Sequence, residues 1–433
     1  MNKHVFQINL NTDVLHKLRN KVNEQQNISY NKTYKKKYRA WDKICAIMNR
    51  LDDTVYYLNG LKLNTGIYTR SAFDFYNFMN AASVVIDCIK ELSKIFDVPN
   101  DKFKKSTEIF NQSGKDGKGT DEKYFEYLRS LCSVHPVETS RHKRYQDNDV
   151  ECSPYVIWNN RRIWINDNCD IHAVVYTSKD KNINKRVQIY IPQIFKYVKT
   201  RLEFVGEIIN AIDKYQKQVI CDLRNTPIKK EEEFDNYVEY LRNLNKELKE
   251  RFGLEVWHPF DNIINLFELR LSNPQNQHKI NLYLNVLRYA ISFEHNSIQN
   301  MSYKGFENNG LLYPEKNIET SLYIQLQSPY SGSDERGRYN YNLEKISYLS
   351  YDSGFDNKQL AYIQLEEACP FFEKYVSFEN AKGDFECYAL VKLALYLECL
   401  ENNCMINKNV PNDLKYRERL LSDDEEKELF NNK

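Results

Sequence analysis

Along the first half of the chain, apolar positions recur mostly three and four apart, the period of a helix that buries one face. Val14, Leu15 and Leu18 give a short polar helix over residues 11–24. Trp41, Ile44, Cys45, Met48, Leu51, Val55 and Tyr56 give a longer one from about Lys35 to Leu58. Over residues 70–96 the apolar positions, among them Phe73, Phe75, Phe78, Met79, Val85 and Ile89, surround most of the circumference. That is the pattern of a helix central to a bundle. A short helix near 101–110 leads to NQSGKDGKGT, residues 111–120. The segment looks like a phosphate-binding loop, yet a Walker A motif needs Gly at 112 and Ser or Thr at 119, where Gln and Gly stand. It reads as a flexible loop.

The segment 124–144, YFEYLRSLCSVHPVETSRHKR, follows. Tyr124, Phe125, Leu128, Leu131 and Cys132 share a helical face, and Pro136 disfavours helical backbone at His135, so the helix is expected to run to that histidine.

Beyond residue 153 the period changes to that of strands. Tyr155–Trp158, Asn159-Asn160 and Arg161–Ile165 read as a β-hairpin. Strands near 171–177 and 186–191 complete an antiparallel meander over about 153–191. A long helix follows Pro192 to about Asp222, and the proline- and charge-rich segment 223–235 is the expected boundary. The second half is again mainly helical, over about 235–252, 260–271, 278–300, 339–349, 357–376 and 384–402. A polar loop region at 300–338 carries one apolar run, Leu322–Leu326, that reads as a lone strand. The expected fold is mainly α: a helical bundle with a small antiparallel β-meander in 1–225, then a second helical region in 226–433.

Composition refines this picture. The 433 residues are 42% hydrophobic and 28% charged, the balance of a folded chain. With 61 basic and 60 acidic side chains there is no global pull toward nucleic acid or anionic membrane, so any nucleic-acid site is local. The ten cysteines form no C-x-x-C pair and interrupt apolar runs, as reduced thiols do. No apolar run approaches the roughly 18 residues that span a bilayer, and the N-terminus has no apolar signal region. The expectation is a cytoplasmic protein without a membrane partner.

Arg129 and His135 fit the spacing R-x(4–6)-H, and a long apolar helix lies just upstream. In these features residues 30–145 resemble the HEPN superfamily, helical-bundle ribonucleases of bacterial toxin–antitoxin and antiviral defence systems. The resemblance implies metal-independent cleavage of RNA with no cofactor, at a site commonly completed across a homodimer, with a partner or inhibitor protein also implied. Arg129 would stabilise the phosphate through its forked donors. His135 would transfer the proton, and Ser130, where the family often carries Asn, Asp or His, would assist. A polar partner from the preceding helix is also implied, with Asp74, Asn80 and Asp87 all available.

Arg141, His142, Lys143 and Arg144 are candidates to neutralise RNA phosphates. Arg161 and Arg162 between Trp158 and Trp164 offer cations beside aromatic faces that suit unstacked bases. His135, His142 and His172 have no ligand spacing, so no metal is expected. Two other Arg/His pairs occur, Arg251 with His258 and Arg288 with His295. The second is either a degenerate copy of the motif or two polar residues beside a core. A purely structural role also stays open, with Arg129 paired to Glu126 or Asp121 and His135 capping the helix. The alternative function is a non-enzymatic helical interaction or regulatory protein.

Overall fold

The computed structural model describes residues 5–35, 38–64, 71–134, 138–147, 151–158, 168–176, 184–253, 260–303, 340–350 and 358–401. The chain is mainly helical with small antiparallel sheets, the expected class. It divides into two compact units, Met1–Val219 and Ile220–Lys433.

In the first unit, β1 (Val5–Phe6) precedes α1 (Asp13–Glu24) and α2 (Gln26–Tyr30). Next come β2 (Thr33–Tyr34) and β3 (Tyr38–Arg39), paired antiparallel. Lys35, Tyr38 and Arg39, read as part of a helix start, belong instead to this ribbon, with Lys35 at φ 51° after its first strand. Helix α3 therefore begins only at Trp41 and runs to Gly60. Strand β4 (Leu63–Asn64) pairs with β1.

Helix α4 (Ser71–Ile95) is the hub. It packs against α3 and, further along the chain, against most of what surrounds the site. Phe75, Phe78, Met79, Ala82, Val85, Ile86, Ile89 and Leu92 are buried, while Phe73 is exposed. Each of these side chains apart from Ala82 contributes about 1.5–3 kcal/mol relative to exposure, so this one face anchors the unit. Helices α5 (Asp101–Lys105) and α6 (Asp121–Arg129) follow, and then a π-helical turn, Ser130–Val134.

Strands β5 (Cys152–Trp158), β6 (Ile171–Tyr176) and β7 (Asn184–Ile189) form an antiparallel sheet in that order. Val156 and Trp158 face the core and Ile157 faces out, as strand alternation requires. Trp158 packs edge-on to Phe75 of α4, 6.2 Å between centroids. The expected hairpin turn Asn159-Asn160 and the strand after it lie outside the described residues.

The helix expected over 192–222 is two: α7 (Ile191–Glu203) and α8 (Val205–Asn225). The break falls at Phe204, whose buried ring packs edge-on against Phe103 at 4.9 Å. Pro192 sits in the first turn of α7, where its missing N–H costs nothing.

The second unit contains α9 (Tyr237–Phe252), α10 (Asp261–Glu268), α11 (Pro274–Gln299), α12 (Asn340–Ile346), α13 (Lys358–Phe372) and α14 (Asp384–Glu401) around its own core. Helix α13 continues through Pro370. The run Leu322–Leu326 lies outside the described residues. Among the described residues no helix is long and apolar enough to cross a membrane.

Candidate functional site

Helix α6 is placed by its N-terminus. Thr120 accepts a hydrogen bond from the Lys123 N–H, an N-cap that satisfies one of the first-turn donors. Asp121, 2% exposed, accepts from Ser106 Oγ at 2.6 Å and from the Phe110 N–H at 2.9 Å. Its carboxylate thus holds the preceding loop to the helix. Lys90 of α4 pairs with Glu122 and, at 3.6 Å, with Glu126, fixing α6 across the hub.

The α-helical pattern stops at Arg129, earlier than the proline alone predicts. Residues Ser130–Val134 wind as a π-helical turn, a feature rare enough to be found mostly as single turns and often at functional sites. Leu131 and Cys132 remain buried, and burial pushes the Cys132 thiol up to about 12. That thiol is inert at neutral pH. His135 and Pro136 lie outside the described residues.

Arg129 extends from the last α-helical position and its Nη1 lies 3.4 Å from Asp87 Oδ2 on α4. Of the three candidate partners on that helix, Asp87 is the one brought to the arginine. Asp121 is committed to Ser106 and the 109–110 backbone, so the pairing of Arg129 with Asp121 is not formed.

Ser130, expected to assist, is among the residues lining a cleft beside Arg129, and its hydroxyl has a partner within the protein. It is 3% exposed and its hydroxyl donates to Thr139 Oγ1 at 2.8 Å. A buried, committed hydroxyl braces structure rather than meeting a substrate. Thr139 in turn pairs through its backbone with Glu151, N–H to O at 2.8 and 3.0 Å in the two directions. The Glu151 carboxylate, 0% exposed, accepts from Tyr127 Oη at 3.0 Å and from the Asp147 N–H at 2.9 Å. Burial raises the Tyr127 pKa, so it stays a donor. This buried network folds residues 138–147 back over α6.

The return brings the basic run onto the arginine. Arg129, Arg141, His142, Lys143 and Arg144 border one open cleft of about 950 Å³. Four residues that sequence reasoning missed also line it: Lys115, Asp116, Lys123 and Tyr145. Six cationic side chains then face two carboxylates, Asp116 and Glu126, so the cleft is locally basic in a chain with almost no net charge. Arg141 and Lys143 are exposed, and His142 is half-buried with its ring 5.9 Å from that of Tyr127.

The loop 111–120, expected to be flexible, is tied by backbone hydrogen bonds. Gly119 N–H donates to Ser113 O at 2.7 Å and Lys115 N–H to Arg144 O at 3.0 Å. Gly114, at φ +68°, lets Arg144 pass so closely that a Cβ would stand 2.1 Å from Arg144 Cγ. Arg144 Nε then reaches Asp116 Oδ1 at 2.5 Å, and this bond holds the Asp116 carboxyl down to about 2. The legible signal was the alternation of Gly with Lys and Asp in SGKDGKG, which marks a shaped loop carrying charge.

The other candidates are structural. Trp158 is buried against Phe75 and Phe6, so it offers no face to a base; Arg161, Arg162 and Trp164 lie outside the described residues. In the second unit, Arg251 is 1% exposed and donates to Glu247, Leu223 O and Thr226 O. His258 lies outside the described residues. Arg288 pairs with Glu231 at 2.5 Å and His295 Nδ1 lies 3.0 Å from Tyr240 Oη, so both tie α11 to the segment 231–240. Of the three histidines considered and set aside as metal ligands, His172 is buried with Nε2 at 3.1 Å from Cys169 Sγ. Among the described residues no group of three or more His, Cys, Asp or Glu could hold a metal ion.

No known protein-family model, curated protein or solved structure matches this chain.

Proposed function

We propose that the chain is a metal-independent endoribonuclease of HEPN type, acting in bacterial defence or as the toxin of a toxin–antitoxin pair. The observation that carries this reading is the basic cleft at Arg129. An arginine at a break in a helix, its half-buried side chain bordering a concave surface rich in cations, is suited to hold a phosphodiester. A net charge of +1 over the chain makes that local concentration a property of the site rather than of composition.

In this reading Arg129 stabilises the charge that develops on the phosphate as the ribose 2′-hydroxyl attacks it. Asp87 holds the guanidinium in place. His135, six positions on in the sequence, moves the proton, for which its near-neutral pKa class is suited. Arg141, Lys143 and Arg144 track the flanking backbone. Ser130 braces the return of the chain through Thr139 and takes no part in the chemistry.

The test is incubation of the purified protein with total RNA in EDTA, comparing the wild type with Arg129→Ala and His135→Ala. Cleavage that persists in EDTA and disappears in both variants is the expected result. Undiminished cleavage by either folded variant removes the assignment. The second reading, a non-enzymatic RNA- or protein-binding module, is favoured by the same cleft if wild-type protein retains RNA without cutting it.

A further inference from the structure

A second hollow opens on the far side of the wall that Lys115, Arg144 and Tyr145 give to the basic cleft. These three residues border both spaces. The hollow holds about 340 Å³, near the lower end of the range for small-molecule sites and sufficient for one flat heterocycle. Its floor is aromatic. Phe110, Tyr124 and Tyr127 are buried there and pack on one another, Phe110 to Tyr124 at 5.3 Å and Tyr124 to Tyr127 at 6.0 Å, so they close the floor while the rings open to a ligand are those of the walls.

The walls have a different chemistry from the cleft. Tyr145 and Tyr190 stand half-buried at the sides. Gln112 and Gln193 each bring a primary amide, which presents a donor and an acceptor together, and Gln188 brings a third whose Oε1 accepts from Tyr190 Oη at 3.3 Å. Four cations border the hollow, Lys115, Arg144, Lys185 and Arg186, against one carboxylate, Asp147, which pairs with Lys185 at 2.6 Å and with Lys115 at 3.6 Å. Half-buried tyrosine rings beside amide walls suit the face and edge of a heterocycle, and the bordering cations suit the phosphate it carries.

We infer that this hollow is a nucleobase subsite, receiving the base of a nucleotide whose phosphate lies on the shared Lys115–Arg144 wall. Adenine is the base whose edge a glutamine amide pairs with in bidentate fashion. The inference rests on the RNA-directed reading of the cleft and adds a base preference to it. Loop 111–120 is then a positioning element for both spaces, because Lys115 serves one rim and Gln112 the other. Gly114 allows it by letting Arg144 lie against the loop backbone.

The experiment is a calorimetric or fluorescence titration of the full chain in EDTA with AMP, UMP and ribose 5-phosphate. It is carried out on the wild type, Gln188→Ala and Gln193→Ala. Gln188 is exposed and Gln193 half-buried, so both variants are expected to keep the wild-type melting temperature. AMP is expected to bind at least about tenfold more tightly than ribose 5-phosphate, and more tightly than UMP. Each amide variant is expected to narrow the AMP advantage while leaving ribose 5-phosphate unchanged. Equal binding of AMP and ribose 5-phosphate, equal binding of AMP and UMP, or an AMP advantage untouched in both variants overturns the inference. Protein that discriminates AMP but cuts no RNA defeats the ribonuclease reading alone. Protein that cuts RNA without discriminating mononucleotides defeats the base subsite alone.

Discussion

Arg129 Nη1 lies 3.4 Å from Asp87 Oδ2, a contact between residues 42 apart in the chain that joins the end of α6 to the hub helix. Both side chains are partly exposed, 35% and 53%, so the pair adds at most about 1 kcal/mol to stability. Its value lies in aiming the guanidinium. Asp87→Asn is therefore expected to leave thermal unfolding within a degree or two of wild type and to lower RNA cleavage by roughly tenfold, against roughly a hundredfold or more for Arg129→Ala. A cleavage rate unchanged in Asp87→Asn would show that the arginine is oriented by something else.

Gly114 and Gly117 make a matched pair for testing how loop 111–120 builds the cleft. Both have positive φ, +68° and +67°, so alanine costs about 1–2 kcal/mol of backbone strain at either. Only Gly114 has Arg144 against it; nothing lies within 4 Å of a Cβ at Gly117. Gly114→Ala should thus destabilise more than Gly117→Ala in urea unfolding and also weaken RNA binding. Equal effects of the two substitutions on binding would mean that the contact with Arg144 does not shape the cleft.

The exposed cations of the return segment give a prediction in salt. Arg141→Ala and Lys143→Ala remove charge without removing packing, since both residues are exposed. For a single-stranded RNA each phosphate contact contributes about 0.7 to the slope of log affinity against log salt. Each variant should flatten that slope by about this amount, measured by fluorescence anisotropy between low and moderate salt. Slopes identical to wild type in both variants would remove these residues from the interface.

His295 supplies a pH dependence for the second unit. Burial, and then the positive charges of Lys230 and Arg251, lower its pKa below the ordinary 6.5. The folded state therefore binds the proton less readily than the unfolded chain does. The associated stability is fully present above about pH 6.5 and is lost as pH falls toward the folded pKa. Wild type should lose more melting temperature between pH 7.5 and 5 than His295→Gln, which keeps an acceptor for Tyr240. Parallel pH profiles for the two proteins would count against a neutral, buried imidazole.

Much of the helical frame was legible because its apolar period is strong. The buried face of α4 repeats Phe75, Phe78, Met79, Ala82, Val85, Ile86 and Ile89 at helical spacing, and no other element type can bury that set together. Breaks were less legible. The split at Phe204 and the π-helical turn after Arg129 leave the apolar spacing nearly intact, so a period cannot reveal them. The ribbon at Thr33–Arg39 was hidden by a basic tract that suits a helix end equally well.

The same division holds for the candidate site. Arg129, Arg141, His142, Lys143 and Arg144 could be named from the sequence because they stand close together in one segment. Lys115 and Asp116 could not be joined to them, since their place depends on Gly114 yielding to Arg144. Nor could Asp87 be chosen over Asp74 and Asn80 without the packing of α6 on α4. Ser130 looked chemically useful until its hydroxyl was found committed to Thr139 in a buried network with Glu151 and Tyr127.

By itself, then, the sequence determined the main helices, the strands of the β5–β7 sheet and the short stretch that gathers basic and titratable side chains. These follow from local periodicity and from residue chemistry. The tertiary structure alone decided which side chains face solvent and which distant residues meet them. Cleft and hollow are both made by chain return, a long-range arrangement held by buried hydrogen bonds whose partners no local pattern specifies.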